Sequence, residues 1–195
     1  MRKRRVADML KSSELDYYSI VEQYQPVVRR FINMMVRNQW ASDDLTQETF
    51  IKAYKRLSSL EDPSKVKSWL LRIAYNLCQD HFKALSGKKV ESLDSVEAVL
   101  AADILPMGKQ MERDEMSRCV QEKMLLLPQS YRTILCLSDI AGLSYEEIGE
   151  VLQITRGNVK ARLHRARMKM KEILHTHCHF SNDERDVLVC MPKDL

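Results

Sequence analysis

The chain is poor in residues that interrupt regular structure. It has five glycines and five prolines among 195 residues, so long helical patterns run with few breaks and the expected fold is all-α. No apolar run approaches the roughly 18 to 20 residues of a membrane span, which argues against membrane insertion. The N-terminus MRKRRVADMLKSSELD starts basic but has no apolar stretch behind it, so it lacks the form of a signal peptide. A cytoplasmic location is expected, with the five cysteines reduced. There is no glycine-rich phosphate loop, no Ser/His/Asp arrangement at motif spacing, and no carboxylate pair set apart from helical surfaces, so nothing marks an enzyme. Net charge is only +4, too little for a general polyanion binder. The charge is instead segregated into local surfaces.

The clearest such surface lies in Gly142 to Lys171, GLSYEEIGEVLQITRGNVKARLHRARMKMK. Ser144 followed by Glu147 has the spacing of a capping box and starts a helix whose apolar positions are Ile148, Val151 and Leu152. Thr155 is the next N-cap, after a turn of about three to four residues. Beyond it Val159, Leu163, Ala166 and Met170 recur at helical spacing and face inward. The other positions carry Arg156, Lys160, Arg162, His164, Arg165, Arg167, Lys169 and Lys171, with Glu172 the only acid nearby in sequence. A solvated surface helix normally mixes both signs. This excess of cations points to an external polyanion, and two helices about a tight turn make a helix-turn-helix whose second member can enter the major groove.

The rest divides around that motif. Residues 1–15 are a basic tail. From 16 to 84 three helical patterns follow one another. In the first, Ile20, Val28, Phe31, Ile32 and Met35 keep helical spacing, with Pro26 expected to kink or divide it. Ser42 is the expected N-cap of the second, in which Leu45, Phe50, Ala53, Tyr54 and Leu57 pack inward and Asp44, Gln47 and Glu48 face out. The third, after the loop SSLEDPS, carries the stripe Val66, Leu70, Ile73 and Leu77. Trp69, Arg72 and Asn76 are distributed around it. Cations interleaved with aromatics suit single-stranded nucleic acid; Trp69 as a core anchor is the competing reading. Residues 85–111 hold Gly87, Pro106 and Gly108 and read as a flexible linker, able to span about 85 Å when extended, against about 70 Å for two turns of DNA. Residues 112–174 form the second helical domain, with helices over 112–127 and 129–140 ahead of the helix-turn-helix. Cys78, Cys119 and Cys136 fall in helical patterns as small core residues.

Two segments now carry a family resemblance. DDLTQETFIKAYKRL followed by KSWLLRIAYNLCQD resembles region 2 of bacterial sigma-70 factors, and LPQSYRTILCLSDIAGLSYEEIGEVLQITRGNVKARLHRARMKM resembles region 4. Their order, and the lack of a full region 3 between them, resemble the extracytoplasmic-function subfamily. The resemblance implies a non-enzymatic factor that binds core RNA polymerase and directs it to promoters in transcription initiation. It implies polymerase contacts at Asp44, Gln47, Glu48 and Phe50. It implies contacts to an unstacked −10 strand at Lys65, Lys67, Trp69, Arg72 and Asn76. Duplex −35 contacts are implied at Arg156, Asn158, Lys160, Arg162 and Arg165. An anti-sigma factor is implied as a partner, and no cofactor is required. The alternative is a stand-alone helix-turn-helix regulator that binds duplex DNA as a dimer, which leaves the region 2-like residues without a task.

The C-terminal stretch 175–195 departs from this pattern. His175, His177, Cys178, His179 and Cys190 are residue types that ligate zinc, and four of them can close a tetrahedral site. Their spacing matches no common finger. The competing reading is an exposed tail with an incidental histidine cluster.

Overall fold

The computed structural model describes residues 17–86, 120–182 and 188–192, and, of residues 179–182 and 188–192, the backbone alone. Helix α1 is Tyr17–Val36, α2 is Gln39–Arg56 and α3 is Val66–Ser86. After a helical turn at 120–124 come α4, Gln129–Leu135, a π-helical turn Cys136–Ile140, α5, Tyr145–Leu152, and α6, Arg156–His177. Strands β1, Cys178–Asn182, and β2, Leu188–Pro192, close the chain as an antiparallel hairpin. Both modules are therefore helical, as expected, and β-structure is confined to the C-terminal hairpin among the described residues. The basic tail and the linker core, residues 87–111, lie outside them, as does Cys119.

Helices α1, α2 and α3 pack on one another around Phe31, Ile32, Leu70, Leu71 and Ala53, all fully or almost fully buried. Pro26 does not divide α1. The proline is solvent-exposed, and the residues on both sides of it keep the same face, so burial carries the helix through the lost hydrogen bond. The turn into α2 corrects the expected start at Ser42. Arg37 takes a left-handed conformation, φ 57°, and reverses the chain. Asn38 then caps α2, its side chain accepting from the Ala41 N–H at 2.9 Å. Ser42 lies inside the helix and is buried. Buried Thr46 and Thr49 satisfy their hydroxyls by donating to the carbonyls of Ser42 and Leu45. Between α2 and α3, two 3₁₀ turns (Leu57–Ser59 and Pro63–Lys65) shape the loop. Asp62 caps the second, accepting from both the Ser64 N–H and hydroxyl, and those bonds hold its carboxyl below the ordinary range.

The second module is built on α6, against which α4 and α5 pack through Ile134, Ile148, Val159 and Leu163. The expected capping box is present: Ser144 accepts from the Glu147 N–H, and the Ser144 N–H donates to the Glu147 carboxylate. Thr155 caps α6 by accepting from Asn158 N–H at 3.3 Å. Gly149 allows the two helices to meet closely, because a Cβ there would lie 2.9 Å from the Ile154 carbonyl oxygen. The segment expected as one helix over 129–140 changes character after Leu135 into the π-helical turn. Cys78 and Cys136 are core residues, and burial pushes both thiols up to about 12.

The two modules are in contact. Helix α3 packs against α5, and α1 packs against α4 and the π-turn. Thr133 Oγ1, whose proton goes to the Gln129 carbonyl at 2.8 Å, stands 3.4 Å from Met35 Sδ across this seam. The wide separation along a duplex that the linker length allows is not the arrangement seen.

Candidate nucleic-acid interface

Helix α6 buries Val159, Leu163, Ala166 and Met170, keeps Arg162, Ile173, Leu174 and His177 half-buried, and turns the rest outward. Of the residues expected to meet duplex DNA, Arg156, Asn158, Lys160 and Arg165 are exposed. Arg162 is half-buried beside Tyr75 of α3; burial raises the Tyr75 phenol and the Arg162 charge opposes that rise. The acids that temper this face come from other elements as well as from Glu172. Arg156 pairs with Glu146 at 2.9 Å and Arg167 with Asp139 at 2.8 Å, while Lys169 pairs with Glu172 at 2.8 Å. Among the described residues no ion pair holds Lys160, Arg165 or Lys171, so the middle of the helix keeps uncompensated charge.

Of the second set, Lys65, Trp69 and Arg72 line an open cleft of about 410 Å³ together with Asp62, Glu150 and Val151 among others, whereas Lys67 and Asn76 are not in its lining. Trp69 is half-buried: it packs on the core with one side and lines the cleft with the other, so both readings of it describe part of its surface. Arg72 and Asn76 are exposed. Lys65 donates to the Glu150 carboxylate at 2.7 Å, and that hydrogen bond and charge hold its ammonium above the ordinary lysine value. Lys67 is half-buried, its Nζ 3.7 Å from where a Cβ of Gly142 would stand. Both lysines thus lean on the second module.

On α2, Asp44, Gln47 and Glu48 share the exposed side, with Glu48 paired to Lys52 at 2.9 Å. Phe50 is 7% exposed and supports this face from beneath. Tyr54, expected inside, is 66% exposed. Its ring packs edge-on against Tyr17 at 5.0 Å, and Tyr17 donates its hydroxyl to the Phe50 carbonyl at 2.7 Å. With Tyr18 and Ile51, also exposed, it adds an apolar border that sequence reasoning missed.

The family model for sigma-70 region 2 matches residues 20–87, and that for sigma-70 region 4 matches residues 117–170. The extracytoplasmic-function RNA polymerase sigma factor SigW of Bacillus subtilis is 32% identical over 182 residues, 89% of this chain and 97% of its own length. The chain belongs to the sigma-70 family, in its extracytoplasmic-function subfamily. The RNA polymerase sigma-H factor of Pseudomonas aeruginosa is 33% identical over 80% of this chain and 84% of its own. In fold, this sigma factor is similar to the sigma factor RpoE of Bartonella quintana, solved in complex with the anti-sigma factor NepR, at a TM-score of 0.63, 23% identity, and coverage of 82% of this chain and 97% of that one. It is likewise similar to CnrH, solved with the cytosolic domain of CnrY, at a TM-score of 0.61, 21% identity, and coverage of 90% and 97%. As a member of the family, the chain acts with core RNA polymerase in promoter-directed transcription initiation.

The described C-terminal residues of this sigma factor continue α6 to His177 and then form the β1–β2 hairpin. His175 and His177 sit in the last turn of α6, and Cys178 is buried where helix passes into strand. The ladder sets Cys178 opposite Pro192 and Phe180 opposite Cys190, so the two cysteines are not cross-strand partners. The side chains of His179 and Cys190 lie outside the description. Among the residues described, no three candidate ligands gather into a metal site, and no helix is long and apolar enough to cross a membrane.

Proposed function

We propose that the two modules divide promoter recognition between duplex and single strand. Helix α6 enters the major groove of the −35 element, with Arg156, Asn158, Lys160, Arg162 and Arg165 toward bases and phosphates. Guanidinium and ammonium groups donate to guanine edges, each good bidentate pair discriminating by about 1–3 kcal/mol. The cleft beside Trp69 takes an unstacked base of the −10 element, with Lys65, Lys67, Arg72 and Asn76 around it. Stacking and phosphate contacts there offset an unstacking cost of a few kcal/mol. The exposed side of α2, Asp44, Gln47 and Glu48, docks on core polymerase, with Phe50 holding that helix in shape. The chain supplies recognition, with no catalytic step and no cofactor, and works in the cytoplasm, where an anti-sigma factor holds it in check.

The observation that carries this reading is the pairing of an exposed basic helix on one module with an aromatic and cationic cleft on the other. Run-off transcription with purified core polymerase tests it. A promoter-dependent product that requires this chain is expected, and Trp69→Ala should abolish permanganate reactivity of the −10 strand while −35 duplex binding persists. Specific duplex binding with no effect on core polymerase would favour a stand-alone regulator instead.

A further inference from the structure

Among the described residues, five side-chain polar atoms are buried without a hydrogen-bond partner: Arg37 Nε, Ser42 Oγ, Gln79 Nε2, Gln129 Nε2 and Arg132 Nε. Three of these five, from Arg37, Gln129 and Arg132, come from the place where the end of α1 meets α4. Gln129 and Arg132 share one side of α4 by their helical spacing. Thr133, next to Arg132, touches Met35, which stands just ahead of Arg37. All three orphan atoms are donors, so the place lacks acceptors.

It also lacks negative charge. Arg132 is 7% exposed, and its guanidinium makes one hydrogen bond, from Nη1 to the Leu125 carbonyl at 3.3 Å. Burial first, and then the Arg37 charge, push that guanidinium down to about 10. Burial lowers Arg37 as well. Among the described residues no carboxylate pairs with either arginine. Asp139, whose charge reaches neighbouring Cys136, is held by Arg167 at 2.8 Å. A buried cation without a counter-ion is strongly unfavourable, and two that repel each other are worse. Turning over the Gln129 amide would offer one of them a neutral acceptor and leave both charges unmatched.

We propose that Arg37, Gln129 and Arg132 form a site for one small oxyanion of the phosphate class, held between α1 and α4. A guanidinium presents two parallel N–H groups that match a pair of phosphate oxygens, and the amide adds a further donor. A spherical anion such as chloride matches that fork poorly. The burial of Arg132 suits a small anion and leaves no room for a duplex backbone. One arginine comes from each module, so the anion bridges them. None of the three residues belongs to the sets proposed to meet promoter or polymerase, and the site does not depend on those assignments. The anion can be free phosphate or the phosphate of a nucleotide that enters past half-buried Arg37.

The test uses the full chain in buffer free of phosphate and sulfate, with chloride holding ionic strength constant. Inorganic phosphate is titrated and read by the width of its phosphorus NMR resonance and by the thermal midpoint of the protein. Saturable broadening is expected, with a midpoint that rises with phosphate and not with equivalent chloride. Arg132→Met keeps an apolar stem and removes the fork, and it should weaken phosphate binding about tenfold or more. Arg37→Met, at a less buried position, should do the same and covers the case in which Arg132→Met fails to fold. Lys171→Met, which removes an exposed charge from α6, should change neither reading. Adding GTP separates the two sources. Displacement of phosphate by GTP at lower concentration than phosphate itself needs assigns the site to a nucleotide phosphate, and no displacement assigns it to the free ion. Absence of saturable broadening, full binding by both arginine variants, or an equal loss in Lys171→Met would overturn the proposal.

Discussion

The two modules solve the same problem, holding a polyanion, with different materials. The first is made of three long helices of 20, 18 and 21 residues; the outer two bury mainly apolar stripes, and the middle one buries a mixed face that includes Ser42, Thr46 and Thr49. The cations lining its cleft are few, and one of them, Lys65, is matched by an acid. The second sets short helices of 7 and 8 residues against one of 22, and that long helix carries cations in excess of the acids around it. Duplex DNA presents a dense, regular array of phosphates, and a rigid helix with surplus positive charge suits it. A melted strand offers bases as well as phosphates, and a loop with an indole and a few cations suits that. The difference teaches that charge density tracks the ligand's regularity, while the module holding the irregular ligand relies on shape.

That contrast can be broken first through the cores. Leu163→Ala removes a 1% exposed side chain from the base of the duplex-reading helix and should cost about 2–5 kcal/mol of stability in thermal or urea unfolding. Next in size, Arg165→Ala should weaken duplex binding by about 1–3 kcal/mol if it reads a base edge, while affinity for core polymerase, measured separately, stays constant. Equal loss of both would end the division of labour between modules. Ser144→Ala removes the reciprocal cap of α5 and should lower stability by about 0.5–2 kcal/mol. The smallest effect belongs to the first module. Hydrogen bonds from Arg29 and then Gln39, with the Arg29 charge, hold the Asp43 carboxyl below its ordinary value. A depressed folded value means the stabilisation is complete above the unfolded value near 3.8 and is lost as pH falls through the folded one. Asp43→Asn should therefore lower neutral stability slightly, by no more than an exposed ion pair contributes, and leave stability unchanged at low pH where the carboxyl is protonated, so the acid limb below about pH 4 is flatter.

Local rules made much of this legible before the structure. The helix-turn-helix announces itself through Ser144, Glu147 and Thr155, residues that cap within three positions of where they stand. Ser42 misled because it is also a good cap; Asn38, four residues earlier, does that work once Arg37 turns the chain. Tyr54 is expected inside because aromatic rings are usually buried, yet only tertiary packing decides that its ring lies outside, edge-on to Tyr17. The C-terminal strands are five residues each, too short for a period-2 pattern to separate from noise. The seam was invisible for a different reason: Lys65 and Glu150 are 85 residues apart, and nothing local to either predicts the other.

Gly149 has a consequence for how the duplex reader can vary. The angle at which α6 leaves α5 is set by a hydrogen atom facing the Ile154 carbonyl oxygen, where a methyl group would stand at 2.9 Å. If α6 reads bases as proposed, they are re-specified by exchanging exposed side chains on a fixed axis. An alanine at 149 would instead press on the backbone of the turn between the two helices and force it to shift.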